Sequence, residues 1–185
     1  MRIVAGEFRG RRLHSPKGRS IRPTTDRVRE AVFSIIISYI SPEARVLDLF
    51  AGTGALGLEA LSRGAAQAVF VDQNQDSIRL IRENVEMLAV GDRARVLRGS
   101  VELVVRRLAA QGENFHLIFM DPPYGKGHVE KALSYVGQVA HPEALVLAEH
   151  HVKDESPAQC GQWRKDRERR YGDTVVSFYE KDIPS

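Results

Sequence analysis

Val46-Leu47-Asp48-Leu49-Phe50-Ala51-Gly52-Thr53-Gly54-Ala55-Leu56-Gly57 opens as a short apolar run and closes on a G-x-G-x-x-G spacing. An apolar run of this length ahead of spaced glycines reads as a buried strand turning into a helix, the first βα unit of an open α/β sheet. The rhythm continues downstream, with strands expected at Arg45–Leu49, 68–72, Ala94–Arg98, 117–121 and 144–149, and helices starting near Gly57, Asp76, Val101 and Val129. Because each strand precedes its helix, the sheet is expected to be mostly parallel. At the end of the chain the rhythm breaks. Residues 163–169 and 174–179, joined by Tyr171-Gly172-Asp173, suit an antiparallel hairpin. Upstream, Thr24-Thr25-Asp26 offers helix-capping side chains, and Val28, Val32, Ile35, Ile36 and Tyr39 share one face of a helix that ends before Ser41-Pro42.

The chemistry gathers at the strand ends, where open α/β sheets bind their ligands. The glycines after the first strand let the backbone turn tightly and approach a ligand, and Asp72 lies 20 residues beyond Gly52, placed for ribose hydroxyls. A dinucleotide would satisfy both features. Asp48 argues otherwise, since a carboxylate just ahead of the loop disfavours a pyrophosphate and attracts a cation such as the ammonium and sulfonium of S-adenosylmethionine. Asp121-Pro122-Pro123-Tyr124 directly follows the apolar run Phe115-His116-Leu117-Ile118-Phe119-Met120. A carboxylate, two rigid residues and an aromatic ring make a clamp for a flat, amine-bearing base, with hydrogen bonds at its edge and stacking on its face. Singly, each feature has a plainer use, the acids as helix caps and the glycines as packing. Their recurrence at successive strand ends favours chemistry on a nucleobase.

Composition sets the bounds. The 185 residues, 43% hydrophobic and 28% charged, suit one globular domain with a full core. No apolar run approaches the roughly 20 residues of a membrane helix, and the start of the chain lacks a secretory signal's apolar stretch, so a cytoplasmic location is expected. Cys160 has no second thiol to pair with, and the six histidines have no regular spacing, so neither a disulfide nor a metal site is expected. Charge is uneven. Residues 1–29 hold eight Arg and one Lys against Glu7 and Asp26, a net +7, which leaves −4 for the rest of a chain that totals +3. Such a basic segment reads either as a solvated surface or as a phosphate-binding arm, and the base clamp favours the arm. Short alternating stretches around Gly6 and Gly10, followed by a turn at Ser15-Pro16-Lys17-Gly18, suit a small β-hairpin or an extended arm. The run 164–170 alternates charge signs as an exposed edge strand does, and Trp163 reads as packing.

Asp48-Leu49-Phe50-Ala51-Gly52-Thr53-Gly54, Val71-Asp72 and Asp121-Pro122-Pro123-Tyr124 resemble the motifs of class I S-adenosylmethionine-dependent amino-methyltransferases. Met1-Arg2-Ile3-Val4-Ala5-Gly6, Arg9-Gly10-Arg11-Arg12-Leu13, Arg22-Pro23-Thr24-Thr25-Asp26-Arg27-Val28-Arg29-Glu30 and Tyr171-Gly172-Asp173-Thr174 further resemble the bacterial RsmD family, which methylates the exocyclic N2 of a guanine in 16S rRNA. The resemblance covers essentially the whole chain. It implies an α/β, Rossmann-like fold with a mostly parallel seven-stranded sheet and an antiparallel terminal hairpin, divided into a basic N-terminal hairpin arm at 1–23 and a methyltransferase domain at 24–185. It implies S-adenosylmethionine as cofactor, the methionine part beside Asp48, Phe50, Gly52, Thr53 and Gly54, the ribose on Asp72, and the adenine flanked by Ser100 and Val101. Asp72 stands for a commoner Glu and keeps the acceptor, whereas Ser100 stands where many relatives carry an acid and receives the adenine amine more weakly.

By the same resemblance, Asp121 and the Pro122 carbonyl hold the amine, Tyr124 stacks on the base, and Arg9, Arg11, Arg12 and Arg22 contact RNA. The implied partner is 16S rRNA within the small ribosomal subunit, met by a monomer without a metal. A DNA amino-methyltransferase shares the clamp, although this chain lacks room for a large target-recognition domain. A non-catalytic RNA-binding assembly factor would bind cofactor without turnover, and a nicotinamide oxidoreductase is more distant still.

Overall fold

The computed structural model describes residues 1–16, 23–125 and 127–182; Arg22 and part of the turn expected at Ser15-Pro16-Lys17-Gly18 lie outside them. Strands β1 (Arg45–Leu49), β2 (Gln67–Asp72), β3 (Ala94–Arg98), β4 (Phe115–Met120), β5 (Ala140–His151), β6 (Gln159–Cys160), β7 (Trp163–Tyr171) and β8 (Thr174–Lys181) form one sheet in the order β3-β2-β1-β4-β5-β8-β7-β6. The first five pair in parallel, and β8, β7 and β6 add antiparallel. The seven expected strands are thus joined by an eighth. Only two residues long, β6 has no periodicity to announce it and exists by pairing Gln159 with Arg164 and Cys160 with Trp163. Beyond that pairing β7 is an exposed, charge-rich edge, and Trp163 is buried packing.

Helices α2 (Ala55–Ser62) and α3 (Gln75–Met87) share one face of the sheet with α1 (Pro23–Ile35), while α4 (Val101–Ala110) and α5 (His128–Val136) cover the other. Strands covered on both faces read as continuous apolar runs. Alternate residues accordingly enter different cores. Leu117, Phe119, Leu145 and Leu147 pack with Phe33, Leu58 and Ile81, whereas Ile118, Met120, Val146 and Ala148 pack with Val105, Leu108 and Leu133. Helix α1 begins at Pro23, where a missing N–H is harmless, so Thr24-Thr25-Asp26 lie inside its first turn rather than ahead of it. The carboxylate of Asp26 instead accepts from Arg29 and Arg2. The helix ends at Ile35, and the expected continuation to Tyr39 is a 3₁₀ turn over Ile37–Tyr39.

The N-terminal segment forms a short hairpin, Arg2 bridging Arg12, with the Ile3 N–H donating to the Arg11 carbonyl at 2.9 Å. It lies docked on the body. Ile3 and Leu13 are buried in the same core as α1 and α2, and the Glu59 carboxylate, wholly buried, accepts the Val4 and Ala5 N–H groups at 2.9 Å each. Glu59 also receives Arg63 and faces Arg29, so the hairpin, α1 and α2 meet on one network of charges. At Gly6, φ is +83° and an added Cβ would fall 1.9 Å from the Ser62 carbonyl oxygen, which makes glycine obligatory for this close approach. Among the described residues no helix is long and apolar enough to cross a membrane.

Candidate active site

Strands β1, β2 and β4 end side by side, and the loops leaving them surround a cavity of about 370 Å³, within the range of small-molecule sites. The loop after β1 runs through Phe50, Gly52 and Gly54 at positive φ (56°, 60° and 78°) before α2 begins at Ala55. Helix and strand approach closely here. A Cβ on Gly57 would sit 2.4 Å from the Phe70 ring, and Gly57 instead donates its N–H to Asp48 Oδ2 at 2.9 Å. Asp72 ties two loops together, Oδ2 accepting the Gly52 N–H at 2.9 Å and Oδ1 the Asn74 N–H at 2.8 Å. Asn74 then caps α3 by accepting from Asp76 and Ser77.

Of the expected residues, Phe50, Asp72, Val101, Asp121, Pro122 and Tyr124 line the cavity. Asp48 lies beneath it, 2% exposed. Gly52, Thr53 and Gly54 shape the loop outside the lining, and Ser100 is occupied as the cap of α4, its Oγ accepting from Leu103 N–H at 3.4 Å. Pro123, the second rigid residue of the clamp, lines the space as well, and Gln73, Asn74 and Gly99 line it and were missed. Each of the three lies within two residues of one that was chosen, so the loops leaving each strand end were the available signal. Tyr124 is 62% exposed, and its ring meets His151 edge-on with centroids 5.6 Å apart.

The site is rich in carboxyl groups whose surroundings oppose ionisation. Burial pushes the Asp48 carboxyl up to about 7, the Gly57 hydrogen bond opposing this and Asp72 adding to it. Asp121 opens onto the cavity yet is crowded by the protein around it, and this desolvation, then Glu149 and Asp48, raises its pKa well above the ordinary carboxylate range. Burial raises Glu149 too. Among the described residues, no group of three or more His, Cys, Asp or Glu is arranged to hold a metal. An acid-walled cavity with an aromatic side and an acceptor at the β2 end fits a cationic nucleoside such as S-adenosylmethionine and repels a phosphate.

One end of the basic arm reaches the loop beside this site. Wholly buried Asn84 of α3 accepts the His14 N–H at 2.7 Å and donates to the carbonyls of His14 and Thr53, and Thr53 Oγ1 reaches the Met1 sulfur at 3.5 Å. Arg9, Arg11 and Arg12 are exposed, although Arg11 donates to the Met87 carbonyl at the end of α3.

A five-stranded parallel sheet extended by an antiparallel hairpin, with a glycine loop after β1 and an acid after β2, defines the class I methyltransferase fold. Residues 1–180 match the family model described as conserved hypothetical protein 95. The chain is 37% identical to the Bacillus subtilis (strain 168) protein YlbH, covering 98% of this chain and 99% of that one. It is 36% identical to ribosomal RNA small subunit methyltransferase D of Escherichia coli (strain K12), over 98% and 90% respectively. The solved structure of Escherichia coli yhhF superposes with a TM-score of 0.84 at 35% identity, covering 100% of this chain and 99% of that one. The chain belongs to this family, the RsmD family that its motifs resemble.

Proposed function

We propose that this protein uses S-adenosylmethionine to methylate the exocyclic N2 of a guanine in 16S rRNA. The observation that carries the reading is Asp121-Pro122-Pro123-Tyr124 at the end of β4, lining one wall of the cavity whose other walls hold Phe50, Asp72 and Val101. When bound there, S-adenosylmethionine supplies a methyl group on a positively charged sulfur. Asp48 and Asp121 give that charge an anionic surround, and Asp72 retains lone pairs for the ribose.

The difficulty of the reaction lies in the amine, whose lone pair is delocalised into the base. Asp121 and the Pro122 carbonyl accept its two hydrogens and so turn the lone pair toward the methyl group, an effect of orientation. Proline at 122 and 123 removes two N–H donors, leaving a loop that offers acceptors alone. As the nitrogen bonds to carbon it becomes positive. The Asp121 carboxylate stabilises that charge in place and takes the proton that the nitrogen then sheds, a task suited to a carboxylate of raised pKa. Tyr124, exposed at the rim, stacks on the base.

Residues 1–23 serve as the RNA-binding part, with Arg9, Arg11, Arg12 and Arg22 toward phosphates. The protein acts as a cytoplasmic monomer on the small ribosomal subunit. The test is incubation with methyl-labelled S-adenosylmethionine and, separately, unmodified small subunits, naked 16S rRNA and duplex DNA, followed by digestion and identification of the labelled nucleoside. N2-methylguanosine from subunits or RNA, absent with Asp121→Ala, is the expected result. Label in DNA would instead favour a DNA amino-methyltransferase, and cofactor binding without label an assembly factor.

A further inference from the structure

Glu149 lies on β5 next to the clamp. In the β4/β5 pairing Met120 stands opposite Ala148, so the following residues, Asp121 and Glu149, stand opposite each other across strands about 4.8 Å apart. Strand alternation sends both toward one face, the one on which Phe119 and Leu147 pack against α1. Glu149 is partly exposed, and no hydrogen bond or ion pair joins either carboxylate to another described residue. Two carboxyls side by side at the ends of adjacent strands, Asp121 open to the cavity and Glu149 partly exposed, are available to accept donors from a bound ligand.

We propose that Glu149 selects guanine, its carboxylate accepting the base's N1–H while Asp121 and the Pro122 carbonyl hold the N2 amine; this rests on the guanine-N2 reading above. Guanine presents three adjacent hydrogens on one edge, one on N1 and two on N2. Glu149, Asp121 and the Pro122 carbonyl oppose them with three acceptors. Adenine and cytosine carry an exocyclic amine beside a ring nitrogen that bears a lone pair and no hydrogen. That lone pair would face the Glu149 carboxylate, leaving it unpaired and repelled, a mismatch of the kind that supports roughly 10- to 100-fold discrimination. The raised pKa values of both carboxyls agree with a pair that is poorly satisfied until such donors arrive.

The test uses 2-aminopurine, which keeps the amine on C2 but has a lone pair at N1. Small subunits are assembled on ligated 16S rRNA carrying either guanine or 2-aminopurine at the position the wild-type protein methylates. Wild type should prefer guanine by about 10-fold or more in kcat/KM. In Glu149→Gln, whose amide donates to a bare N1, the preference should shrink to about two-fold or invert, while Glu149→Ala should lose guanine turnover without gaining 2-aminopurine turnover. Both variants should bind S-adenosylhomocysteine within about two-fold of wild type by calorimetry and melt cooperatively. Fluorescence of 2-aminopurine, which rises when the base leaves its stack, reads binding independently of turnover and should increase for Glu149→Gln over wild type. Unchanged guanine preference in Glu149→Gln overturns the assignment, as does loss of S-adenosylhomocysteine affinity, which would mark a structural role. Failure of wild type to form any N2-methylguanosine overturns the guanine-N2 reading itself, and the selection with it.

Discussion

Burial holds the Asp48 carboxyl at about 7 in the folded protein, against an ordinary value of 3.8. Between these limits the native state binds one proton more than the unfolded chain, so stability falls as pH rises toward 7. At roughly 1.4 kcal/mol per pH unit, the ionised Asp48 costs up to about 4 kcal/mol at pH 8. Asp48→Asn should therefore raise the melting temperature of the ligand-free protein at pH 8 more than at pH 5, while weakening S-adenosylmethionine binding at pH 8. A melting temperature that is unchanged, or lowered more at pH 8 than at pH 5, would show Asp48 to be stabilised by its surroundings. Asp121 behaves differently. In the proposed mechanism its carboxylate is needed chiefly as charge develops on the amine, so Asp121→Ala should cut kcat by about 100-fold or more while leaving cofactor affinity within about two-fold, as read by single-turnover kinetics and calorimetry. Undiminished kcat would remove Asp121 from the chemistry.

Among the elements, α2 carries the most consequential side chain outside the cavity. Glu59, itself without solvent contact, pairs with Arg63 and Arg29 and holds two backbone N–H groups of the hairpin. Breaking one partner of a buried ionic network leaves the others uncompensated, so Glu59→Gln should lower stability by about 3–5 kcal/mol. Hydrogen exchange should quicken first at Val4, Ala5 and Glu7, whose amides rest on Glu59 and Ser62. Uniform quickening would mean that the hairpin is not a separate unit of unfolding. None of this docking is written locally, because Glu59 lies more than fifty residues from the backbone it caps. The sheet, in contrast, was legible: β1 and β3 have the expected limits, since apolar runs between turn residues are a local signal. Strand β5 starts at Ala140, before the expected 144, because its first four residues are partly or fully exposed and carry no apolar run, and Ala140 joins the sheet through Phe115 ahead of a register shift. In the site, Asp72, Asp121 and Tyr124 could be read from their place at strand ends. Glu149 could not, since its meaning depends on standing opposite Asp121 across a ladder.

For the whole molecule, the hairpin runs along the body from the loop after β1, which Met1 and His14 reach, to the ends of α2 and α3, where Glu7 and Arg11 bond Ser62 and Met87, so RNA bound as proposed would span from the cavity side to the far end of the sheet. Replacing Arg9 and Arg12 with Ala should weaken 16S rRNA binding and reduce the slope of log affinity against log salt by about 0.7–0.9 for each phosphate no longer neutralised. Arg11→Ala should change it less, because that guanidinium is engaged by Met87. An unaltered slope in all three variants would reduce the hairpin's charge to a solubility feature. Asn84 adds a thermodynamic consequence. One buried amide bonds both the hairpin, at His14, and the loop after β1, at Thr53, so whatever firms one end firms the other. Binding free energies are reciprocal: if RNA on the hairpin tightens the methyl donor by some factor, the donor tightens RNA by the same factor. Asn84→Ala should bring that ratio, measured as donor affinity with and without 16S rRNA, toward one.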